Sequence, residues 1–465
     1  MDDFTDLEVR VERDGVSLRL REREFRGAHG LGARAELDAL RDAGPDKYGV
    51  ALFKALFADE ETEAGYREAV GESNERATRW RMRLNVEDSA LHDLWWEALR
   101  DEHAPYRKFA TDRFTPLSRY LPRPLRTNPA PADTLRVLAV VSNPTDLGSA
   151  RWPGLAPLEP ELERETLDQA FENLRVECEV LDGRASESAL RARLRSPNGP
   201  HVLHLVAHGW RSPDGTGVLL LEGEDGTAAP VDERRLGDLV SGLGDSPLRL
   251  VVLASCQSAV RSQADPFMGL APRLVEFGMP AVVAMQDRVA MGSARRFSKI
   301  FYDSLADPGR ANGMVDVAMN DARDELNFTF GDNTWDWAIP VLFLRGEGRV
   351  FDLGGERNGG APALGSVLSP VVGAGVEAGA GPARAAVDPG LRMRLFADLV
   401  GRSLEPHRTV AYLVLGEELS PELEAAEAEV RARELMRRCE AAGQLVALDA
   451  LLRSWAGMRE SAVRR

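Results

Sequence analysis

Residues 201–209 read HVLHLVAHG and residues 249–258 read RLVVLASCQS, and these two stretches decide the fold. Each contains a nearly unbroken apolar run, which is typical of a parallel strand that is buried on both faces. The first run ends at His208 and the second run ends close to Cys256. Because consecutive parallel strands end at the same edge of a sheet, we expect the imidazole and the thiol to lie close together there.

Further apolar runs indicate that these two strands belong to a larger sheet: 135–141, 176–181, 281–285 and 338–344. Apolar residues at helical spacing separate several of these runs, for example between residues 167 and 174. Strands that alternate with helices predict an α/β fold with a mostly parallel sheet flanked by helices. Beyond His208, the run Val218–Leu221 and a following Asp225-Gly226 predict a β-hairpin that projects from the edge of the sheet.

Two changes in composition divide the chain. Prolines recur in residues 121–131, and residues 354–390 consist mainly of Gly, Ala and Pro. Proline lacks the N–H group that a central strand requires, and Gly-rich segments behave as flexible linkers. The predicted organisation is an N-terminal α+β subdomain (1–130), an α/β domain (131–353), a flexible linker (354–390) and a small all-α domain (391–465).

The N-terminal subdomain shows its own patterns. Alternating apolar residues on either side of Asp14-Gly15 predict an antiparallel hairpin at 7–20. Helices are predicted at 33–41 and 48–57, followed by a strand at 80–84 and a helix near 89–99.

Charge and cysteine content exclude several classes of protein. The 465 residues contain 58 Lys+Arg and 74 Asp+Glu, a formal net charge of −16, which disfavours nucleic-acid binding. The three cysteines are too few for a disulfide framework and are interpreted as thiols. The N-terminus is acidic and no apolar run approaches 18 residues, so we expect a cytoplasmic protein without membrane association.

The pair His208 and Cys256 is the candidate for chemistry. A cysteine is nucleophilic as its thiolate, and a neighbouring imidazole lowers the thiol pKa and returns the proton to the leaving amine. Gly209 lets the backbone approach a substrate carbonyl closely. The N–H groups of Gly209 and Cys256 are therefore the candidate oxyanion hole.

These motifs resemble those of the caspase-like CHAT peptidases, relatives of separase and the metacaspases, over residues 134–345. The resemblance implies a caspase-like fold, a pseudo-caspase-like N-terminal half, and a thiol protease in which His208 is the general base and acid and Cys256 the nucleophile. It also implies a protein substrate, and Asp287 is the carboxylate that would bind a basic substrate side chain. The alternative for Asp287 is a solvated or helix-capping side chain.

The C-terminal segment resembles the effector-associated or death-like helical domains that bacterial conflict systems attach to peptidases. This resemblance implies a homotypic helical partner protein and a role in antiphage defence or programmed cell death. The substrate would then be a gasdermin-like or other defence effector.

Two other functions stay open from the sequence. One is a catalytically silent caspase-like scaffold that recruits effectors, and the other is a cysteine-dependent hydrolase or acyltransferase acting on a small molecule. No cofactor is predicted. No metal site is predicted either, because no carboxylate completes a known ligand pattern and strand alternation points His201 and His204 to opposite faces. Side chains interpreted as packing residues are Cys178, Cys439, Trp95, Trp96, Trp335 and Trp337.

Overall fold

The computed structural model describes residues 4–353, apart from 77–78, 104–107, 113–114, 123–127, 172–173, 197, 213–215, 242–245, 255–265, 288 and 332–333, together with Leu435. Contacts divide the chain into one unit of residues 1–73 and 78–357 and a second of residues 74–77 and 358–465. The predicted linker and all-α domain lie outside the described residues, apart from Leu435, and stay predictions.

The described strands are β1 (Phe4–Val11), β2 (Val16–Leu20), β3 (Arg23–Gly27), β4 (Arg79–Val86), β5 (Leu117–Tyr120), β6 (Ala130–Pro131), β7 (Leu135–Val141), β8 (Val176–Val180), β9 (Val202–Val206), β10 (His208–Arg211), β11 (Gly217–Glu222), β12 (Ala228–Asp232), β13 (Leu250–Ala254), β14 (Ala281–Met285), β15 (Pro340–Leu344) and β16 (Phe351–Asp352). The described helices are α1 (Arg34–Ala39), α2 (Pro45–Leu56), α3 (Glu60–Arg76), α4 (Pro160–Phe171), α5 (Glu187–Leu194), α6 (Glu233–Ser241), α7 (Pro266–Glu276), α8 (Met291–Ala306) and α9 (Val315–Phe330).

Eleven of the described strands form one sheet in the order β3-β2-β1-β4-β5-β15-β14-β13-β9-β7-β8. Neighbours are parallel except at β3/β2, β2/β1 and β15/β14. Every residue of β9, β14 and β15 is buried, which explains why these segments are apolar without alternation. The predicted α/β fold with a mostly parallel sheet is confirmed.

The predicted hairpin beyond His208 is confirmed and is part of a three-stranded antiparallel sheet. Strand β11 pairs with β12 on one side and with β10 on the other. The sequence did not predict β10, because its four residues, His208–Arg211, carry no apolar alternation. The strand that contains His208 therefore belongs to the hairpin sheet and not to the large sheet.

The predicted helix near 89–99 is wrong. This segment forms two short 3-10 helices, Ser89–Leu91 and Trp96–Ala98. Side chains take the carbonyl groups that a continuous helix would use: Trp96 Nε1 donates to Leu91 O at 3.0 Å, and Arg119 Nη1 donates to His92 O at 3.0 Å. The hydrogen bonds of the buried Trp96 and Arg119 side chains therefore override the local helix propensity of this segment.

Strand β5 joins the N-terminal part of the chain to the rest of the sheet. It lies between β4 and β15 and is parallel to both, with Arg119 opposite Phe343 in the β15 register. The sheet is therefore continuous across the predicted boundary at 130/131, which stays a prediction as a domain division.

A buried ion pair lies where these strands meet. Arg119 donates from Nε to Glu97 Oε1 at 3.0 Å and from Nη2 to Glu97 Oε2 at 2.8 Å. Glu97 is fully buried, and its Oε2 also accepts from Gln286 Nε2 at 2.9 Å. Because Gln286 directly follows β14, the pair ties β5 to the segment that carries Asp287.

A second buried guanidinium stabilises the same region. Arg323, on α9, donates from Nε and Nη2 to Pro340 O, at 3.0 and 2.7 Å, and from Nη1 to Leu117 O at 3.3 Å. Burial lowers the pKa of Arg323 to about 10, which leaves it charged at neutral pH. It thus holds the first residues of β5 and β15 side by side.

We expect Glu97→Gln to lower the free energy of unfolding by about 3–5 kcal/mol, because it leaves the Arg119 charge buried without its partner. Urea denaturation followed by circular dichroism measures this change. The matched control is Glu87→Gln, which removes the carboxylate of the exposed Arg10–Glu87 pair and should cost under about 1 kcal/mol. Equal losses of unfolding free energy in the two variants would contradict a stabilising role of the buried Glu97–Arg119 pair.

Candidate functional site

His208 lies where the chain leaves the large sheet. Strand β9 ends at Val206, Ala207 N donates to Ala254 O at 3.3 Å, and β10 begins at His208. His208 pairs with Leu220 of β11 and is 1% exposed. The hairpin sheet therefore holds this imidazole at the carboxyl edge of β9.

The tautomer of His208 follows from its hydrogen bond. Nε2 lies 2.8 Å from Ala156 O, and because a carbonyl oxygen can only accept, Nε2 must carry the proton. In the neutral ring Nδ1 then holds the lone pair. Burial lowers the pKa of His208, and the bond to Ala156 opposes this by stabilising the charged ring. The structure thus makes Nδ1 the atom that is able to take up a proton.

The expected adjacency of the two motif strands is confirmed. Strand β13 is parallel to β9, with Val206 opposite Ala254 as the last pair in register. Cys256 lies outside the described residues, since 255–265 are not described. In the sequence, His208 and Cys256 each lie two residues beyond this last pair. The nucleophilic role of Cys256 stays a prediction.

Gly209 is the second residue of β10 and pairs with Leu219. It is partly exposed, unlike the buried His208 before it. The contribution of its N–H group to an oxyanion hole stays a prediction.

Asp287 lies two residues beyond the end of β14. Strand β14 is parallel to β13, so Asp287 follows the strand beside the one that leads to Cys256. Its side chain is exposed. Its role in binding a basic substrate side chain stays a prediction.

His201 lies one residue before β9 and His204 lies within it, and the two imidazoles have different partners. His201 Nδ1 accepts from Arg136 N at 3.1 Å, whereas His204 Nδ1 lies 2.9 Å from the Tyr302 hydroxyl. Burial, chiefly, lowers the pKa of each to about 4. Across the part of the chain that the structure describes, no group of three His, Cys, Asp or Glu residues is arranged to hold a metal ion.

The side chains interpreted as packing residues behave as such where they are described. Cys178 is partly buried against the core, and burial, followed by Asp168 and Glu179, raises its pKa to about 12. Such a thiol is protonated at neutral pH and therefore a poor nucleophile. The tryptophans form part of the core: Trp95, Trp96 and Trp337 are buried, and Trp335 packs against Trp95. Cys439 lies outside the described residues.

The partner of His208 was missed by reasoning from the sequence. Ala156 O belongs to the segment between β7 and α4, and a main-chain carbonyl leaves no mark in the residue types. Two features of the sequence could have indicated that the segment between β7 and α4 packs against the hairpin. They are the Asp225-Gly226 turn and Trp210, two residues beyond His208.

The CHAT domain model matches residues 46–344, well over half of the chain. The chain belongs to the CHAT domain family. The matched range begins in α2 and ends with β15, so the CHAT domain includes strands from both sides of residue 130.

Solved structures with similarity to this CHAT protein are distant in sequence. The Saccharomyces cerevisiae separase–securin complex at 3.0 Å resolution shares 13% identity at a TM-score of 0.32, covering 60% of this chain and 16% of that chain. A protein from Geobacter sulfurreducens shares 11% at a TM-score of 0.27, covering 46% and 94%. The complex of Porphyromonas gingivalis RgpB pro- and mature domains shares 10% at a TM-score of 0.30, covering 58% and 65%.

The chain thus spans a small fraction of the separase chain that it matches, 16%. No curated protein matches it in sequence. None of the described helices combines the length and the apolar character that a membrane span requires.

The buried His204 predicts a pH dependence of stability. Its pKa is about 4 in the folded chain against about 6.5 when unfolded, so the unfolded chain binds more protons between these values. The free energy of unfolding is therefore expected to fall as pH drops from 6.5 to 4, with about 3 kcal/mol from His204.

Urea denaturation at a series of pH values measures this contribution. His204→Gln should reduce the slope and leave the part that comes from His201, whose pKa is also lowered to about 4. His92→Gln, a substitution at an exposed position, is the reference variant. The interpretation fails if His204→Gln leaves the slope unchanged.

Proposed function

We propose that this CHAT protein is a cysteine endopeptidase that uses His208 and Cys256 as a catalytic dyad. One observation carries the proposal: Ala156 O holds the His208 proton on Nε2, two residues beyond the end of β9, whose parallel neighbour β13 leads to Cys256. An imidazole with a free lone pair beside a thiol is the arrangement that nucleophilic catalysis requires.

The chemistry follows from the tautomer. Nδ1 of His208 takes the proton from the Cys256 thiol, and the thiolate attacks the peptide carbonyl carbon. The imidazolium then gives the proton to the leaving amine, which leaves a thioester on Cys256. Water, deprotonated by the same Nδ1, hydrolyses the thioester and restores the thiol.

Two backbone N–H groups, those of Gly209 and Cys256, are proposed to stabilise the oxyanion that forms in each half of the reaction. Donors of this kind contribute about 10²–10³ in rate. The bond from Nε2 to Ala156 also favours catalysis, because the imidazolium is stabilised at the stage when His208 carries the proton.

A protein substrate, a homotypic partner of the segment 391–465 and a role in bacterial defence or programmed cell death stay proposals. They rest on the resemblance of the motifs alone. A gasdermin-like effector is one substrate to include in the first assays.

We expect Cys256→Ala and His208→Ala each to reduce peptide cleavage by at least about 10³-fold, and the double variant to be little worse than either, because the two residues act as a unit. Co-expression with neighbouring gene products, followed by mass spectrometry of new protein termini, identifies the substrate for these assays. The matched control is Cys178→Ala, which removes a thiol with a raised pKa and should keep full activity.

The two alternative functions have distinct outcomes in this experiment. A silent scaffold would give no new termini and no labelling of the natural sequence by a peptidyl electrophile. A hydrolase of small molecules would require Cys256 for its activity but would resist the peptidyl label. Full cleavage by Cys256→Ala would end the peptidase proposal.

Asp287 is proposed to select a basic residue at the cleavage site. A carboxylate binds an Arg guanidinium through two hydrogen bonds and a Lys ammonium as a point charge, and it disfavours neutral side chains when substrate covers it. Asp287→Ala is expected to lower kcat/KM for basic peptides by about 10–100-fold.

Profiling with a peptide library measures this preference. The control is Asp225→Asn, at an exposed carboxylate in the hairpin turn, which should keep the natural preference. If Asp287→Ala retains the same preference, Asp287 does not belong to the site.

A further inference from the structure

The three-stranded sheet β10-β11-β12 positions both groups of the hydrogen bond between His208 Nε2 and Ala156 O. Strand β10, which contains His208, pairs with β11, and the segment 142–158 is fastened to the same hairpin. Ser142 Oγ donates to Leu220 O at 2.9 Å, and Thr145 N donates to Gly226 O at 2.9 Å. The hairpin β11–β12 is therefore a common support for the imidazole and for the segment that contains Ala156.

Ala156 itself contributes little to its own position. Its side chain is exposed, so packing around it does not fix the direction of its carbonyl group. The anchors lie on either side: Trp152 and Leu155 are buried before it, and Leu158 N donates to Asn143 Oδ1 at 2.8 Å after it. The carbonyl is thus held by its neighbours in the chain.

Asp146 links this segment to the hairpin through both carboxylate oxygens. Oδ1 accepts from Ala228 N, on β12, at 2.6 Å, and Oδ2 accepts from Trp152 Nε1 at 3.0 Å. One carboxylate therefore joins the end of the hairpin to a tryptophan four residues before Ala156.

Trp152 in turn lies against the strand of the histidine. Its ring meets that of Trp210 edge to face, with 5.8 Å between centroids. Trp210 is two residues beyond His208 on β10, so both side chains project from the same face of that strand. The contact therefore links Asp146, through Trp152 and Trp210, to the strand that contains His208.

We propose that Asp146 is a positioning residue that, through Trp152 and the hairpin, holds the Ala156 carbonyl on Nε2 of His208. This inference rests on the proposed function of His208. The carboxylate is required because both donors point at it: an asparagine has only one acceptor oxygen and would place an N–H against a donor at the other.

The chemical consequence is control of the tautomer. When Ala156 O is in place, the His208 proton stays on Nε2 and Nδ1 is free to accept. When the segment moves, Nε2 loses its acceptor, the ring is free to rotate, and the imidazolium loses a stabilising partner. Asp146 therefore acts on the rate of the chemical step and leaves peptide binding unchanged.

Kinetics of the full-length protein give the first test. Asp146→Asn is expected to lower kcat by about 10–100-fold with little change in KM, as expected when a catalytic group is displaced by a fraction of an ångström. Trp152→Phe, which keeps a ring but removes the Nε1 donor, should have a similar effect. The double variant should be no worse than either alone, because the two changes break the same link.

Nuclear magnetic resonance gives a second test that does not depend on peptidase activity. The sample is the full chain with ¹⁵N-labelled histidine and the Cys256→Ala change. The Nε2–H signal of His208 is assigned by its loss in His208→Gln. We expect this signal to be protected from exchange with water. Adding Asp146→Asn or Trp152→Phe should broaden or remove that signal.

Asp225→Asn is the matched control, since Asp225 is exposed, lies in the turn of the same hairpin and accepts hydrogen bonds from Thr227 N and Oγ1 within that turn. It should leave kcat and the Nε2–H signal as they are. Persistence of the signal, unshifted, in folded Asp146→Asn and Trp152→Phe would overturn the proposal. If the natural sequence cleaves no peptide, the proposed function fails, whereas the signal still decides the role of Asp146.

Discussion

The backbone pairing of β9 with β13 is the constraint on which the rest of the molecule depends. Its register, with Val206 opposite Ala254, fixes the point at which both strands end. A shift by one residue would turn every side chain of a strand to the opposite face. Because both strands are buried, such a shift would disrupt the core on both sides of the sheet. The position of His208 is therefore set by the core, before any side chain of the site contributes.

Apolar runs predicted six strands of the fold within two residues of their bounds, because parallel strands that are buried on both faces leave a continuous hydrophobic signal. Strand β5 escaped prediction for a physical reason: it is short and contains Arg119, a charge that sequence patterns assign to the surface. Its partner Glu97 lies in the segment where a helix was expected. The charge is tolerated because the two side chains pair, and this partnership is invisible until the chain is folded.

The candidate site, like the fold, was predictable from the sequence only in part. Residue types and spacing singled out His208 as a candidate and predicted that the strand before it, β9, lies beside β13, the strand that leads to Cys256. They were not enough to find Ala156, since a carbonyl oxygen is present at every residue. What distinguishes this one is the network of Asp146, Trp152 and the hairpin. None of these residues belongs to a recognisable sequence motif, and only the folded chain brings them close to His208.

The pairing of β5 with β15 has a consequence for how the chain is made. Arg119 and its partner Phe343 are 343 − 119 = 224 residues apart, so the middle of the sheet is closed by a strand that leaves the ribosome late. Until then β5 and β14 each have an edge with unpaired backbone groups, which invites pairing with other chains. Contacts of such large sequence separation also form slowly. The central strands of the sheet are therefore open to pairing with other chains for as long as the ribosome takes to make the residues between β5 and β15.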